Sequence, residues 1–338
     1  MALSCRSCCL GAPVLNKDGL VICLGEVLID QVVDTLGRRQ NYAGGAPANV
    51  AVALARLGLP VGFVGGVGRD AEGQYLIQTL QQQAVDCGGL QHCDAPTRIV
   101  EVTCTAAGDR TFGGFIGGAT TDFADTQLAA PQLPFTSLST AACLVTGTLG
   151  LAYPTTRAAM RQAATTVQAA GGKLVIDVNW RPTFWPDVTT AMDLLRPWLC
   201  QADVIKVSAD EAIALWQTAD IDCLKAQFPQ ADWLVTDGDR GCQAVLGGYR
   251  AVVPAFAVPA VETTGAGDAF LAGMLYQLLQ HDWQFESVAQ LTDALIWANA
   301  MGALTTLKSG AIAALPTPVE ILSFLHTHTG KVWTMGGV

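Results

Sequence analysis

Short apolar runs alternate with segments of helical period along most of this chain, and that alternation limits the fold to a layered α/β architecture. Val21–Ile29 is a nearly continuous apolar run, as in a strand covered on both faces. Ala46–Leu57 is rich in Ala and Val and reads as a helix closed by Gly58 ahead of Pro60. Val61–Val67 reads as a second strand and Gln74–Gln83 as a helix. After Asp122 the pattern resumes. Strands are expected at Cys143–Gly147, Lys173–Val178, Asp203–Val207, Trp233–Thr236 and Cys242–Leu246. Helices are expected near Thr156–Ala170, Ala209–Trp216, Asp268–Leu279 and Val288–Thr306. Such an order implies a mostly parallel sheet with helices on both sides, and a site at the carboxyl ends of its strands. One stretch departs from it. In Arg98–Phe115, Val100, Val102 and Cys104 alternate with Glu101 and Thr103, and a turn at Ala107–Arg110 leads back towards Phe112. This reads as a hairpin that forms a small separate sheet with the segment Asp34–Tyr42.

Composition narrows the class. The chain has 338 residues, 51% of them hydrophobic and 14% charged, which supports a large core and excludes disorder over most of the length. A net charge of −10 disfavours nucleic acid and anionic membrane as partners. The 11 cysteines are odd in number and scattered. Cys23, Cys104, Cys143 and Cys242 lie in apolar runs, as small core residues of a reducing compartment do. Cys5, Cys8 and Cys9 lack the second ligand pair of a zinc site. Residues 1–19 lack the apolar stretch of a secretory signal, and no run approaches the length of a transmembrane helix. The expectation is a soluble cytoplasmic protein with a frayed N-terminus over 1–19, a body over 20–327 and a flexible tail over 328–338.

Glu262–Phe270 carries the clearest chemistry. A glycine-rich turn, Gly265-Ala266-Gly267, stands directly before an apolar helix, with Asp268 at the junction. Amides at a helix N-terminus lack partners and carry positive partial charge, so they attract anions. An acid beside them is placed to take a proton from an attacking hydroxyl. An anion hole next to a base is what phosphoryl transfer to an alcohol requires. A plain glycine turn with a capping Asp would explain this segment alone equally well. Other segments bear on the choice. Asp30 ends the first strand, and Gly44, Gly45 and Asn49 open the next helix. An Asp and an Asn suit sugar hydroxyls, and the glycines allow close approach. Asn179 and Arg181 follow the strand Lys173–Val178, Asn179 to orient metal-bound water or phosphate and Arg181 to grip phosphate or a sugar oxygen. Lys206 stands at a strand end where it faces phosphates. Thr236, Gly238 and Gly241 form a turn suited to cradling them.

Gly25-Glu26-Val27-Leu28-Ile29-Asp30, Gly44–Ala51, Gly65–Asp70, Asp177–Pro182, Thr236–Gly241 and Glu262–Phe270 follow one another in a specific order and spacing. In these motifs the chain resembles the ribokinase-like carbohydrate kinases, and among them the fructokinases, from about Val21 to about Pro318. The resemblance implies a three-layer α/β/α fold with a mostly parallel central sheet. It also implies a small β-sheet lid, from about 31–43 and 97–120, over the sugar. It assigns Asp30, Gly45 and Asn49 to the sugar. It implies ATP and Mg2+, with Glu211 organising the metal mainly through water. The family often has Asn-x-x-Glu where this chain has Ser208-Ala209-Asp210-Glu211, which leaves the contact from Ser208 open. The helix bearing Asn299, with the loop Lys308–Gly310, is implied to border the adenine. A monovalent cation, K+, is often bound near the anion hole. Its usual Asp is Glu262 here, with Thr264 beside it, so that site stays open.

The activity these features point to is an ATP-dependent fructokinase acting on the terminal hydroxyl, with Asp268 as general base. A phosphorylated or carboxylated acceptor needs a cation at its far end; Arg38, Arg98 and Arg181 are the only candidates near the pocket and Arg181 is open to occupation by ATP phosphate, so neutral fructose is the expected acceptor. 2-Keto-3-deoxygluconate kinase and ribokinase activities remain alternatives, as does a nucleoside acceptor. Sugar and ATP are the expected partners, and a homodimer through the lid is left open. Two rivals come from other classes. Gly66-Val67-Gly68-Arg69-Asp70-Ala71, with Asp86 further on, fits the dinucleotide fingerprint of an NAD-dependent oxidoreductase. A non-catalytic kinase-like binding protein is the other. The sequence contains no G-x-x-x-x-G-K-[ST] P-loop.

Overall fold

The computed structural model describes residues 19–33, 37–104 and 110–335. Thirteen strands fall among the described residues. They are β1 (Val21–Leu24), β2 (Leu28–Val33), β3 (Arg39–Gly44), β4 (Val61–Gly68), β5 (Asp86–Cys93), β6 (Ile99–Cys104), β7 (Arg110–Phe115), β8 (Cys143–Thr146), β9 (Lys173–Asp177), β10 (Val204–Ser208), β11 (Asp232–Thr236), β12 (Cys242–Leu246) and β13 (Tyr249–Val253). The α-helices are α1 (Ala46–Arg56), α2 (Ala71–Gln82), α3 (Phe135–Thr140), α4 (Pro154–Ala169), α5 (Ala191–Leu199), α6 (Ala209–Trp216), α7 (Ile221–Gln227), α8 (Ala266–Gln280), α9 (Val288–Thr305), α10 (Ala311–Ala314) and α11 (Pro318–Thr329).

Nine strands form one sheet in the order β13-β12-β11-β10-β9-β8-β1-β4-β5. From β5 to β11 every neighbouring pair is parallel, and only the pairs β11–β12 and β12–β13 are antiparallel. The strands are apolar on both faces because both faces are covered. In β1, Val21 and Cys23 join the core built with α1, α2, α8, α9 and α11, while Ile22 and Leu24 join the core built with α4 to α7. This is the three-layer α/β/α arrangement expected from the alternation.

The remaining strands form a separate four-stranded sheet, β3-β2-β6-β7. β6 and β7 pair antiparallel, as the alternation predicts, and β2 joins them by running parallel to β6. The turn expected at Ala107–Arg110 lies largely outside the described residues, as does the start of the segment expected from Asp34.

The apolar run Val21–Ile29 is not one strand. It breaks at Gly25–Val27 and passes from the large sheet to the small one. Gly25 sits at φ 153°, where a Cβ would come within 2.6 Å of Pro47 Cγ. Apart from Glu26 the run stays apolar across the break because Val27, Leu28 and Ile29 are buried at the junction of the two sheets. Two strands escaped the sequence reading. β5 is a half-buried edge strand without an apolar run. β13 returns from β12 through Gly247-Gly248, both at positive φ, as a two-residue hairpin turn requires.

The dinucleotide reading fails here. Gly66 and Gly68 lie in β4, and a Cβ on either would meet backbone, Ala124 O at 2.4 Å or Thr97 N at 2.7 Å. Asp70 caps α2 by accepting from Gly73 N at 2.8 Å and also accepts from Thr97 N at 2.7 Å. Protein, not pyrophosphate, fills the space these glycines leave. The described part of the tail, to residue 335, packs against the body. α11 runs to Thr329, and Trp333 is 7% exposed, with its indole N–H donating to Thr329 Oγ1 at 2.8 Å. The two residues that hold it there, Trp297 and Thr329, are far apart in sequence from each other. Among the described residues no helix is long and apolar enough to cross a membrane. Cys5, Cys8 and Cys9 lie outside the described residues.

Candidate active site

A cavity of about 1220 Å3 opens at the carboxyl ends of the parallel strands. Small-molecule sites span roughly 300–1,000 Å3, so this one has room for two substrates side by side. The strand ends deliver the lining directly. Glu26 follows β1, Asn179 follows β9, Ser208 ends β10 and Thr236 ends β11. Asp30 enters from β2 of the small sheet, and Asn49 from α1.

At the centre is the start of α8. Gly265 takes the left-handed conformation, φ 80°, and no side chain caps the helix. The helix begins at Ala266, two residues earlier than expected. The Ala266 amide turns back to Thr263 O at 3.2 Å. That leaves the amides of Gly267 and Asp268 in the first turn, where a helix offers them no acceptor. Of the three amides expected to form the anion hole, Ala266 is therefore already engaged, and the amide of Asp268 stands in the same first turn.

Asp268 Oδ2 accepts a hydrogen bond from Asn49 Nδ2 at 2.7 Å, joining two motifs 219 residues apart. Asn49 Oδ1 is buried and has no protein partner. Burial raises the Asp268 carboxyl above its ordinary range, against the opposing pull of Lys206 and of the Asn49 amide. Lys206 itself is buried. Its ammonium sits between both oxygens of Asp177, each at 3.0 Å, and lies 2.9 Å from where a Cβ on Gly267 would stand. Gly267 thus makes room for a cation beneath the turn. Burial pushes Asp177 up to about 6 although Lys206 pulls it down, and Asp177 in turn helps hold the lysine protonated.

Glu211 is held at the α6 start. Its Oε2 accepts from Ser208 N at 3.0 Å, completing a capping box in which Ser208 Oγ accepts from Glu211 N. Its Oε1 accepts from Trp180 N at 3.0 Å and from Arg181 at 2.9 Å. Lys206 and these donors keep its carboxyl below the usual range despite burial. Ser208, where the resembled family carries Asn, serves as a cap. Asn179 stands at φ 38°, a left-handed conformation that Asn tolerates better than most residues and that turns the loop into the cavity.

The far end is formed by Thr236, Gly238, Gly241, the segment 255–258 and Asn299. Gly241 has φ 101°, and a Cβ there would lie 2.1 Å from Val253 O. Asn299 borders the cavity, but its amide donates to Pro254 O at 3.0 Å and so ties α9 to the end of β13. Lys308 is outside the lining and pairs with Glu320 at 2.8 Å. Gly44 and Glu262 are also outside it. A Cβ on Gly44 would meet Asp30 Oδ2 at 2.6 Å, so that glycine gives room to Asp30, not to a ligand. Glu262 Oε2 accepts the Gly310 amide at 3.1 Å, and Thr264 lines the cavity. Among the described residues no group of three or more His, Cys, Asp or Glu is arranged to hold a metal. A divalent ion here would be held chiefly by phosphate oxygens and water.

The other end has an apolar wall that sequence reading missed: Leu28, Val100, Val102, Leu149 and Phe184. Their signal was scattered over four segments. Glu26 and Asp177 were also missed as individual residues, although both stand in the motifs quoted above. Arg98 is not in the lining. It is 1% exposed and grips Asp125 through Nε at 2.8 Å and Nη2 at 2.9 Å. Phe115, Phe123 and Phe184 surround its guanidinium.

A buried carboxylate at a helix N-terminus, a buried cation beneath it and a cavity of this size suit transfer of an anionic group to an alcohol. The comparisons agree. Residues 18–318 match the model of the pfkB family carbohydrate kinases. The chain belongs to the pfkB family. It is therefore an ATP-dependent sugar kinase. It is 35% identical to Fructokinase-1 of Oryza sativa subsp. japonica over 327 residues, 92% of this chain and 99% of that protein. Among solved structures, this kinase is similar to fructokinase from Xylella fastidiosa with bound ATP, with a TM-score of 0.83 and 31% identity over 93% of this chain and 100% of that one. It is also similar to fructokinase from Vibrio cholerae O395 bound to fructose, ADP and a potassium ion, with a TM-score of 0.79 and 31% identity over 91% and 98% of the two chains. The rival of a non-catalytic kinase-like binding protein gives way to the family match and the fructokinase relatives.

Proposed function

We propose that this kinase transfers the γ-phosphoryl group of ATP to the terminal hydroxyl of fructose. The hydrogen bond between Asn49 and Asp268 carries the reading, because it sets the sugar motif against the base. Asp268 takes the hydroxyl proton as the oxygen bonds to the γ-phosphorus and the bridging bond to ADP breaks. The Gly267 and Asp268 amides, with Lys206 beneath them, face the charge that builds on the phosphoryl oxygens. Asp30, Gly45 and Asn49 hold the sugar, and the orphaned Asn49 Oδ1 suits a hydroxyl donor. Arg181, Asn179 and the Thr236–Gly241 turn serve the phosphates, and Asn299 the wall of the nucleotide end. Mg2+ would supply charge neutralisation on the phosphates, and Glu211, which lines the cavity, would hold its water shell. Glu262 and Thr264 fit a K+ site beside the turn.

Fructose is favoured over acidic acceptors by the lining itself. Its cations are Lys206, engaged by Asp177, and Arg181, engaged by Glu211. Neither Arg38 nor Arg98 lines the cavity. An acceptor bearing phosphate or carboxylate would be desolvated without a counter-charge. In an ATP-consumption panel, fructose is expected to exceed fructose 6-phosphate and ketodeoxygluconate in kcat/KM, with ribose and adenosine also below it. Asp30→Ala should raise KM for fructose by about 10-fold or more and leave KM for ATP nearly unchanged. A better kcat/KM for either acidic acceptor would overturn fructose while leaving a sugar kinase.

The small sheet, in this reading, is a lid that excludes water around the transfer. Amides of β2 and β6 should then gain hydrogen-exchange protection when sugar saturates the enzyme, and unchanged exchange there would remove the lid. Among the described residues β3 and β7 are the edge strands of this sheet, which suits a homodimer through this face. A cytoplasmic, reducing setting fits the free thiols of Cys23 and Cys143, which lie on neighbouring strands.

A further inference from the structure

We infer that Glu26 is a positioning residue of the transfer reaction and that it works as a neutral carboxylic acid. The inference rests on the kinase reading above for the reaction, and on geometry for the residue.

Glu26 lies just beyond β1, is buried and borders the cavity. Its Oε1 accepts from Ala46 N, the first residue of α1, at 3.2 Å. Its carbonyl oxygen faces Gly45, where a Cβ would come within 2.4 Å. Side chain and main chain of one residue therefore fix how the chain enters α1. One turn along that helix stands Asn49, whose N–H donates to Gly45 O at 2.9 Å and whose side chain donates to Asp268. Glu26 sets α1, α1 sets Asn49, and Asn49 sets the base.

The charges that face Glu26 are Asp125, from the short helical turn Ala124–Thr126, and Asp268, from α8. Two buried cations of this region are committed to other acids: Arg98 to Asp125, and Lys206 to Asp177. An ionised Glu26 would be a third carboxylate in this space with no counter-charge. Burial, Asp125 and Asp268 push its carboxyl up to about 8, against the amide of Ala46 and its own backbone. At neutral pH it keeps its proton. When it loses that proton, its charge opposes the negative charge developing on the transferred phosphoryl group and repels Asp268.

The test compares wild type, E26Q and E26A. Gln keeps an acceptor for Ala46 N and cannot ionise, whereas Ala removes the acceptor. E26A should lose turnover on the order of 10-fold or more at pH 7 while KM for ATP holds, and E26Q should restore most of that loss. Wild-type turnover should fall on the order of tenfold between pH 7.5 and pH 9.5, and E26Q should lack that fall. A second arm needs no substrate. A carboxyl whose folded value is raised contributes stability that is full below its unfolded value and is lost as pH rises through the folded one. The urea midpoint of wild type should therefore drop relative to E26Q from about pH 4.5 to about pH 8 and run parallel outside that window. A shared alkaline limb in wild type and E26Q, or a midpoint gap that does not change with pH, overturns the inference. If fructose proves the wrong acceptor, the denaturation arm still decides it.

Discussion

Asp268→Asn should lower turnover by about 10²–10⁴-fold with the fold intact. Asn matches Asp in shape and can still meet Asn49, but it has no basic lone pair for the hydroxyl proton. The KM values should move little, because the lost interaction belongs to the transition state. The pH profile gives a second check. Burial raises the Asp268 carboxyl, so the acidic limb of the wild-type profile should lie at higher pH than for an ordinary aspartate. Below that value the base is protonated and cannot act. Near-normal turnover in the Asn variant would remove Asp268 from its role.

Lys206→Met should affect both folding and chemistry. Removing one partner of a buried ion pair leaves the other charge stranded, at a cost of about 3–5 kcal/mol. The stranded group is Asp177, already raised by burial even with its lysine. Without Lys206 its folded value rises further. Stability should therefore decline as pH rises above the unfolded carboxylate range, and the deficit against wild type should narrow as pH falls towards 4. Chemical denaturation across pH measures this. Combining Lys206→Met with Asp177→Asn should recover much of the stability, because no charge remains buried. Turnover should stay down on the order of 10²-fold in the double variant, because the cation under the α8 turn is still missing. Recovery of turnover along with stability would make the pair purely structural.

Much of this site could be read from the sequence because its residues stand at strand ends and helix starts. There, type and position both carry meaning. Asp268 and Asn49 were visible in that way, whereas Asp30, expected at the end of the first strand, lies inside β2 of the small sheet; all three line the cavity. α6 and α8 were visible from their apolar period, and β8 to β12 from compact apolar runs. What stayed hidden depended on distance. No local signal says that Lys206 meets Asp177, although an acid ending Leu174-Val175-Ile176 and a lysine inside Val204–Ser208 each pointed to a buried charge in need of a partner. Gly44 was read as room for a ligand and gives room to Asp30, a contact between neighbouring strands β2 and β3 that only their register reveals. The Gly66–Ala71 fingerprint misled because glycine spacing is the same whether phosphate or protein fills the gap. Val21–Ile29 misled because apolarity reports burial and is silent about which sheet does the burying.

The seams between the two sheets are short. β1 and β2 are separated by three residues, and β3 and α1 by Gly45 alone. Next to them, Ile29 N donates to Arg98 O at 3.0 Å, and the Arg98 side chain is clamped to Asp125. A displacement of the small sheet has almost no slack to absorb it, so it is delivered to α1 and to Asn49. A ligand that bonds to Asp30 on one side and to Asn49 on the other closes a mechanical loop through these seams. Binding and alignment of the base then become linked quantities. By reciprocity, whatever raises the affinity of the closed arrangement for the acceptor raises, by the same factor, the preference of the acceptor-bound protein for that arrangement.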